Sequence, residues 1–238
     1  MGHKKLIRFA AIKTFPNVLE NPENMKGQWS DFFKNEHPIV LELACGKGEY
    51  SVGLGNMFPE KNMIGVDLKG NRIYVGAKNA LQKNLPNVAF LRSQIERIHE
   101  YFNPSEVAEI WLTFPDPQLR ISKAKKRLTH PRFLRLYQQI LTPNGLLHLK
   151  TDSPVLYEFT KKVIGMYGLE LIKDYSDVAK QATEKELLEI KTHYESLDIA
   201  QSGRIHYLQF KLPKEILPIE KDEQLKQVTI EQEVGREH

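Results

Sequence analysis

The chain has one cysteine, Cys45, in 238 residues, which excludes an internal disulfide and any multi-cysteine metal site and suits a reducing compartment. No apolar run reaches the roughly 20 residues that cross a bilayer, and the start MGHKKLIRF is interrupted by Arg8 and Lys13 before a signal-type apolar core could form. No histidine pair has metal-ligand spacing. These absences predict a cytoplasmic protein without membrane or metal. With 41% hydrophobic and 27% charged residues the chain is of ordinary globular composition, and its length suits one large domain that buries a core unaided. A single thiol of this kind is expected to be structural.

Acid is also absent from one long stretch. Between Pro117 and Thr151 there is no Asp or Glu, while Arg120, Lys123, Lys125, Lys126, Arg127, Arg132, Arg135 and Lys150 give +8. Residues 1 to 19 add Lys4, Lys5, Arg8 and Lys13 with no acid, so a net charge of +4 leaves −8 on the remainder. Two basic blocks on an otherwise acidic chain point to a polyanionic partner held at chosen places.

Apolar runs of strand length alternate with stretches of helical period, the pattern of an α/β domain with a mainly parallel sheet and helices on both faces. Strands are expected at Ile39 to Ala44, Met63 to Asp67, Val88 to Arg92, Ala108 to Phe114 and Gly145 to Lys150, with later ones near Leu169 to Asp174 and Arg204 to Leu212. Helical stretches are expected at Pro131 to Leu141, with proline in its first turn, and from Thr183 to about Ile190. Residues 1–25 read as a basic N-terminal arm open to disorder, 26–213 as the folded domain, and 214–238 as a charged tail, frayed or disordered because it has many charges and little aromatic character.

Acids in or after buried parallel strands are costly unless something pairs with them. Glu42, Asp67, Asp116 and Asp152 occupy equivalent places in four such strands, at the carboxyl edge where open α/β sheets bind ligands. The turn Ala44-Cys45-Gly46-Lys47-Gly48-Glu49 lets the backbone approach a ligand closely at Gly46 and Gly48, and Asp67 follows Gly46 at a spacing suited to ribose hydroxyls. Ser51 stands where a dinucleotide fingerprint needs its third glycine, and Glu42 would repel a pyrophosphate, which disfavours a nicotinamide-dependent oxidoreductase. S-adenosylmethionine, cationic and without phosphate, suits an acidic crevice better. Phe114-Pro115-Asp116-Pro117 then joins a carboxylate directly to the most basic stretch of the chain.

With KGQW at Lys26, LELACGKG at Leu41, IGVD at Ile64, FPDP at Phe114, KKRL at Lys125, KTD at Lys150 and THYE at Thr192, the sequence resembles the bacterial tRNA (guanine-N7)-methyltransferase family, TrmB, from about Lys26 to Leu212. The resemblance implies a Rossmann-like class I S-adenosylmethionine-dependent methyltransferase, acting on the variable-loop guanine at position 46 of tRNA, as a monomer or homodimer. It implies cofactor binding by Glu42, Asp67 and Asp116, with Asp116 as the central catalytic acid, and substrate binding by Arg120, Asp152 and the stretch Thr192, His193, Tyr194, Glu195. Gln94 stands where the family has an acid facing the adenine, Ala44 replaces a glycine, Gln118 and Leu119 replace Trp-His or Trp-Pro, and Arg120 replaces a lysine. Lys123, Lys125, Lys126 and Arg127 are expected on the tRNA backbone. The residues alone read Thr192-x-x-Glu195 as a helix capping box, and His148, Trp29 and Trp111 as core. A methyltransferase of another RNA or base, and a catalytically silent RNA-binding relative, share most of these features.

Overall fold

The computed structural model describes residues 2–183, 188–190 and 203–234. Its centre is an eight-stranded sheet built from β1 (Val18–Glu20), β2 (Ile39–Leu43), β3 (Asn62–Asp67), β4 (Val88–Arg92), β5 (Val107–Thr113), β6 (Leu141–Thr151), β7 (Glu170–Tyr175) and β8 (His206–Lys211). The spatial order is β1-β4-β3-β2-β5-β6-β8-β7. All pairings from β1 through β6 are parallel, and β8 joins β6 and β7 antiparallel. Chain order reverses between β2 and β5, so the carboxyl ends of these two strands open the crevice where such sheets take ligands.

Side chains alternate across a strand, and both faces are covered. On one face Leu41, Leu43, Ile64, Val66, Ile110, Leu112, Leu147 and Leu149 pack with α2 (Trp29–Phe33), α5 (Pro131–Gln138) and α6 (Pro154–Tyr167). On the other, Val40, Met63, Phe90 and Trp111 meet α3 (Glu49–Met57), α4 (Gly70–Gln82) and α7 (Val178–Gln181). Trp29 and Trp111 are core residues, and His148 stacks on Trp111 with ring centroids 3.9 Å apart and Nδ1 2.8 Å from the Tyr207 hydroxyl.

Both ends differ from the sequence expectation. The first residues form α1 (Gly2–Ile12), whose Phe9 and Ile12 lie against Gly70 at the start of α4, and β1 then pairs with β4. The expected arm is thus attached to the domain by Phe9 and Ile12, by Phe15 stacked on Tyr74 of α4, and by a strand. The expected frayed tail holds α8 (Lys221–Val234), docked on α6. Leu217 and Leu225 are buried there, and Asp222 accepts from both Arg135 terminal nitrogens, at 3.0 and 2.6 Å, and from the Tyr167 hydroxyl at 2.6 Å. A segment of charged composition docks because its few apolar side chains and one carboxylate fall on the same face. The helix expected through Leu141 ends at Gln138, and β6 starts at Leu141, pairing with Val107. Much of the helix expected from Thr183 to Ile190 lies outside the described residues, as do Thr192, His193, Tyr194 and Glu195.

Replacing Asp222 with Ala removes three hydrogen bonds at a partly buried site and should cost about 1–2 kcal/mol. Amide exchange across residues 221–230 should then accelerate. Unchanged protection there would show that α8 is held without the Asp222 carboxylate.

Candidate active site

The crevice opens where β2 and β5 leave the sheet. Each strand is followed by a residue with left-handed backbone, Ala44 (φ 59°) and Phe114 (φ 47°), and neither is glycine. A third, Gln118 (φ 47°), comes directly after Phe-Pro-Asp-Pro. Such residues cost roughly 1–2 kcal/mol each and persist only where neighbours hold them. Between them is a cavity of about 540 Å³ lined by Ala44, Phe114, Pro115 and Leu119, by the carboxylates Asp67, Asp116 and Asp152, and by the cations Lys69 and Arg72. Three of the four predicted strand-end acids therefore meet on one cavity.

The fourth, Glu42, does not line it. Glu42 is 3% exposed and lies behind the loop, with Oε1 accepting from the Thr113 hydroxyl at 2.6 Å and Oε2 accepting from the Ser51 amide at 2.8 Å and hydroxyl at 2.6 Å. One carboxylate thereby joins β2, β5 and the first turn of α3. Burial pushes its pKa up to about 7, against the lowering effect of the bonds from Ser51 and Thr113.

Asp67 faces the cavity and organises its wall. Oδ2 accepts from the Gly46 amide at 3.0 Å and Oδ1 from the Lys69 amide at 2.7 Å, so it ties the loop after β2 to the start of α4. Each carboxylate oxygen has a second acceptor site, which suits it to ligand hydroxyls as well. Gly48 (φ 70°) precedes α3 as its N-cap, and a side chain there would collide with the ring of Phe90. That close approach keeps the loop low beside the cavity. Asp116 is exposed, with Oδ1 accepting from the Gln118 amide at 2.9 Å. Gln94 is exposed at the carboxyl edge after β4 and lies outside the cavity lining. The cavity fits S-adenosylmethionine chemically: Asp67 stands available for ribose hydroxyls, and Asp116 and Asp152 offer negative charge toward a sulfonium and an ammonium.

The basic block divides. Arg120, at the entry to a 3-10 segment spanning Ile121–Lys126, is exposed, as are Lys123, Lys125 and Lys126. Arg127, expected on the tRNA backbone, is instead 1% exposed, with its guanidinium donating to backbone carbonyls of Pro117 and Gln118. Lys150 is fully buried and donates to the Leu188 carbonyl at 2.6 Å, Arg135 holds Asp222, and Arg132 lies 3.5 Å from Glu96. Burial of a cation depends on partners distant in sequence, so a count of charges along the chain does not reveal it.

Sequence reasoning also missed Lys69 and Arg72, whose signal was their place just after the Asp67 strand end. It missed Ser51 and Thr113 as partners of Glu42, although Thr113 is a hydroxyl in an otherwise apolar strand.

Glu42 makes stability depend on pH. Between pH 4.5 and about 7 the folded chain keeps a proton that the unfolded chain releases, so this contribution is full below pH 4.5 and is lost as pH rises to 7. The swing is on the order of 3 kcal/mol. In Glu42→Gln the amide oxygen can serve Ser51 and the amide nitrogen can donate to Thr113, so denaturant unfolding should show a flatter decline over this range. An unaltered slope would place the titration elsewhere.

The model of a family described as "Putative methyltransferase" matches residues 36–208. A tRNA (guanine-N(7)-)-methyltransferase of Bacteroides thetaiotaomicron is 46% identical over 224 residues, covering 90% of this chain and 88% of that protein. One of Porphyromonas gingivalis is 48% identical over 213 residues, covering 84% and 86%. Among solved structures, the 16S rRNA methyltransferase KamB superposes with a TM-score of 0.61 at 16% identity, covering 85% of this chain and 99% of that one. A 30S ribosomal A1408 methyltransferase from an uncultured bacterium gives 0.57 at 17% identity, covering 80% and 95%. The structural likeness is one of fold, the Rossmann-like fold of class I methyltransferases. With identity approaching one half along nearly its whole length, and with its strand-end acids gathered at the switch point of that fold, the chain belongs to the tRNA (guanine-N7)-methyltransferase family.

Proposed function

We propose that this chain transfers a methyl group from S-adenosylmethionine to N7 of the variable-loop guanine of tRNA, working in the cytoplasm as a monomer or homodimer. The observation that carries the reading is the junction at Asp116: a carboxylate on the cavity wall, followed in the same segment by the exposed cations Arg120, Lys123, Lys125 and Lys126. A phosphate-bearing substrate gripped by that loop is delivered to that carboxylate. Among the described residues no helix is long and apolar enough to cross a membrane.

When bound, S-adenosylmethionine supplies an electrophilic methyl group. Asp67 is placed to hold its ribose hydroxyls, with Gly46 and Gly48 keeping the backbone close and Glu42 fixing the loop from behind. Guanine N7 has an in-plane lone pair and no proton, so no residue of the chain need act as a general base. The residues' task is positioning, which at the favourable limit supplies roughly 7 to 11 kcal/mol of the barrier. With Oδ1 anchored by the Gln118 amide, the other oxygen of Asp116 can stabilise positive charge developing on the guanine, or accept from its N1–H and N2–H₂ donors. Asp152, which lines the same cavity, is assigned the second of these tasks, and the exposed Arg120 the nucleotide's phosphate. Thr192, His193, Tyr194 and Glu195 are assigned to the guanosine on the strength of the family resemblance.

Asp116→Asn keeps size and loses charge. If the carboxylate acts on developing charge, kcat should fall by about a hundredfold or more with tRNA affinity little changed. A tRNA carrying 7-deazaguanine at the target keeps its phosphates and Watson-Crick edge but has no N7 lone pair, so it should bind and accept no methyl. Methyl transfer to it at the normal rate would eliminate N7 as the acceptor.

Replacing Lys123, Lys125 and Lys126 with Ala should weaken tRNA binding broadly and make the slope of log affinity against log salt shallower by about 0.7–0.9 for each phosphate no longer neutralised. Affinity for S-adenosylmethionine should stay constant by calorimetry. An unchanged salt slope would put the tRNA track on another face.

A further inference from the structure

We propose that Arg127 is a positioning residue for Asp116: its buried guanidinium braces the turn that carries the carboxylate from inside the protein, and it does not touch RNA. The proposal rests on the tRNA methyl-transfer reading above. Arg127 comes from the most basic run of the chain, directly after the exposed Lys125 and Lys126, yet it is 1% exposed. Its Nε donates to the Pro117 carbonyl at 3.1 Å and its Nη2 to the Gln118 carbonyl at 3.2 Å. Its Cζ lies 4.6 Å above the ring of Phe159 on α6, which is itself 5% exposed. A planar fork of donors set over an aromatic face is a task for Arg that Lys cannot duplicate.

The two carbonyls belong to the residues that follow Asp116. Gln118 has left-handed backbone at φ 47°, and its amide donates to Asp116 Oδ1 at 2.9 Å. A non-glycine residue in that conformation needs its neighbours to hold it. The bonds from Arg127 supply the hold, so they also fix the amide that orients the carboxylate. The 3-10 segment of Ile121–Lys126 thus connects an outward task and an inward one. Its lysines face solvent, and the residue that ends it locks the turn at which the segment began.

Arg127→Lys retains the charge but cannot bond both carbonyls as a fork or lie flat on Phe159. We expect kcat on tRNA to fall by roughly tenfold to a hundredfold, the scale of a small misplacement at a reacting centre. KM for tRNA and the slope of log affinity against log salt should hold at their wild-type values. By NMR, exchange of the Gln118 amide proton should accelerate, a readout independent of activity. A salt slope shallower by about 0.7–0.9 with kcat intact would show that Arg127 binds a phosphate and overturn the proposal. Unchanged kcat together with unchanged Gln118 exchange would overturn it as well.

If Arg127→Lys does not fold, Phe159→Leu removes the ring beneath the guanidinium at a buried position, and the same fall in kcat without a change in KM is expected. An unchanged kcat there would contradict the brace. Should the wild-type chain leave tRNA unmethylated, the tRNA reading fails, and the Gln118 exchange comparison still decides whether Arg127 braces the turn.

Discussion

A single buried carboxylate sits where the architecture changes direction. Glu42 bonds Thr113 on β5 and Ser51 on α3 from its place in β2, and β2 and β5 are the strands between which chain order reverses. Without those bonds the two strand ends would have their backbone ladder and apolar packing, but no side-chain hydrogen bond from Glu42, to set their separation. With it, the exits at Ala44 and Phe114 diverge at a fixed distance and can adopt left-handed conformations that an unsupported chain would avoid. The arrangement has a cost, visible in the carboxyl pKa raised to about 7 by burial. Burying an acid here is tolerated because three donors meet it.

From that junction the electrostatics follow in layers. Glu42 is innermost and fully committed to the protein. Asp67, Asp116 and Asp152 come next, on the cavity wall, giving negative charge to a space suited to a cationic ligand. Lys69 and Arg72 share the lining, and Arg120, Lys123, Lys125 and Lys126 lie exposed beyond it. A polyanion is therefore attracted to the rim, while the acids inside would repel a phosphate that entered. This layering favours presentation of a base to the cavity with its backbone left outside. It also suits the loop after Asp116, which is basic with no acid among its residues and joins one wall acid directly to the exposed cations.

The sheet was legible because buried parallel strands read as apolar runs, and the acids that interrupt or end those runs marked the crevice. Asp67, Asp116 and Asp152 were found in this way. Glu42 was found by the same reasoning, but its direction was not, because alternation along β2 turns it toward Ser51 and away from the cavity. Arg127, Lys150 and Arg135 read as surface charges, since their partners at Pro117, Leu188 and Asp222 are tertiary. Of the left-handed residues, Ala44 was marked only by the family glycine it replaces, and Phe114 and Gln118 carried no signal because neither is glycine. At the C-terminus, composition suggested a solvated tail, yet Leu225 and Asp222 share one helical face and find α6 and Arg135.

The destination of the methyl group decides most directly between N7 chemistry on tRNA and every rival. Unmodified tRNA should be incubated with the purified chain and methyl-labelled S-adenosylmethionine, then digested to nucleosides and mapped by fragment. Membership of the family predicts label in 7-methylguanosine, and the proposed function places it in the variable loop. Label on another base, on another atom of guanine, or no transfer by a chain that binds the cofactor, would contradict it.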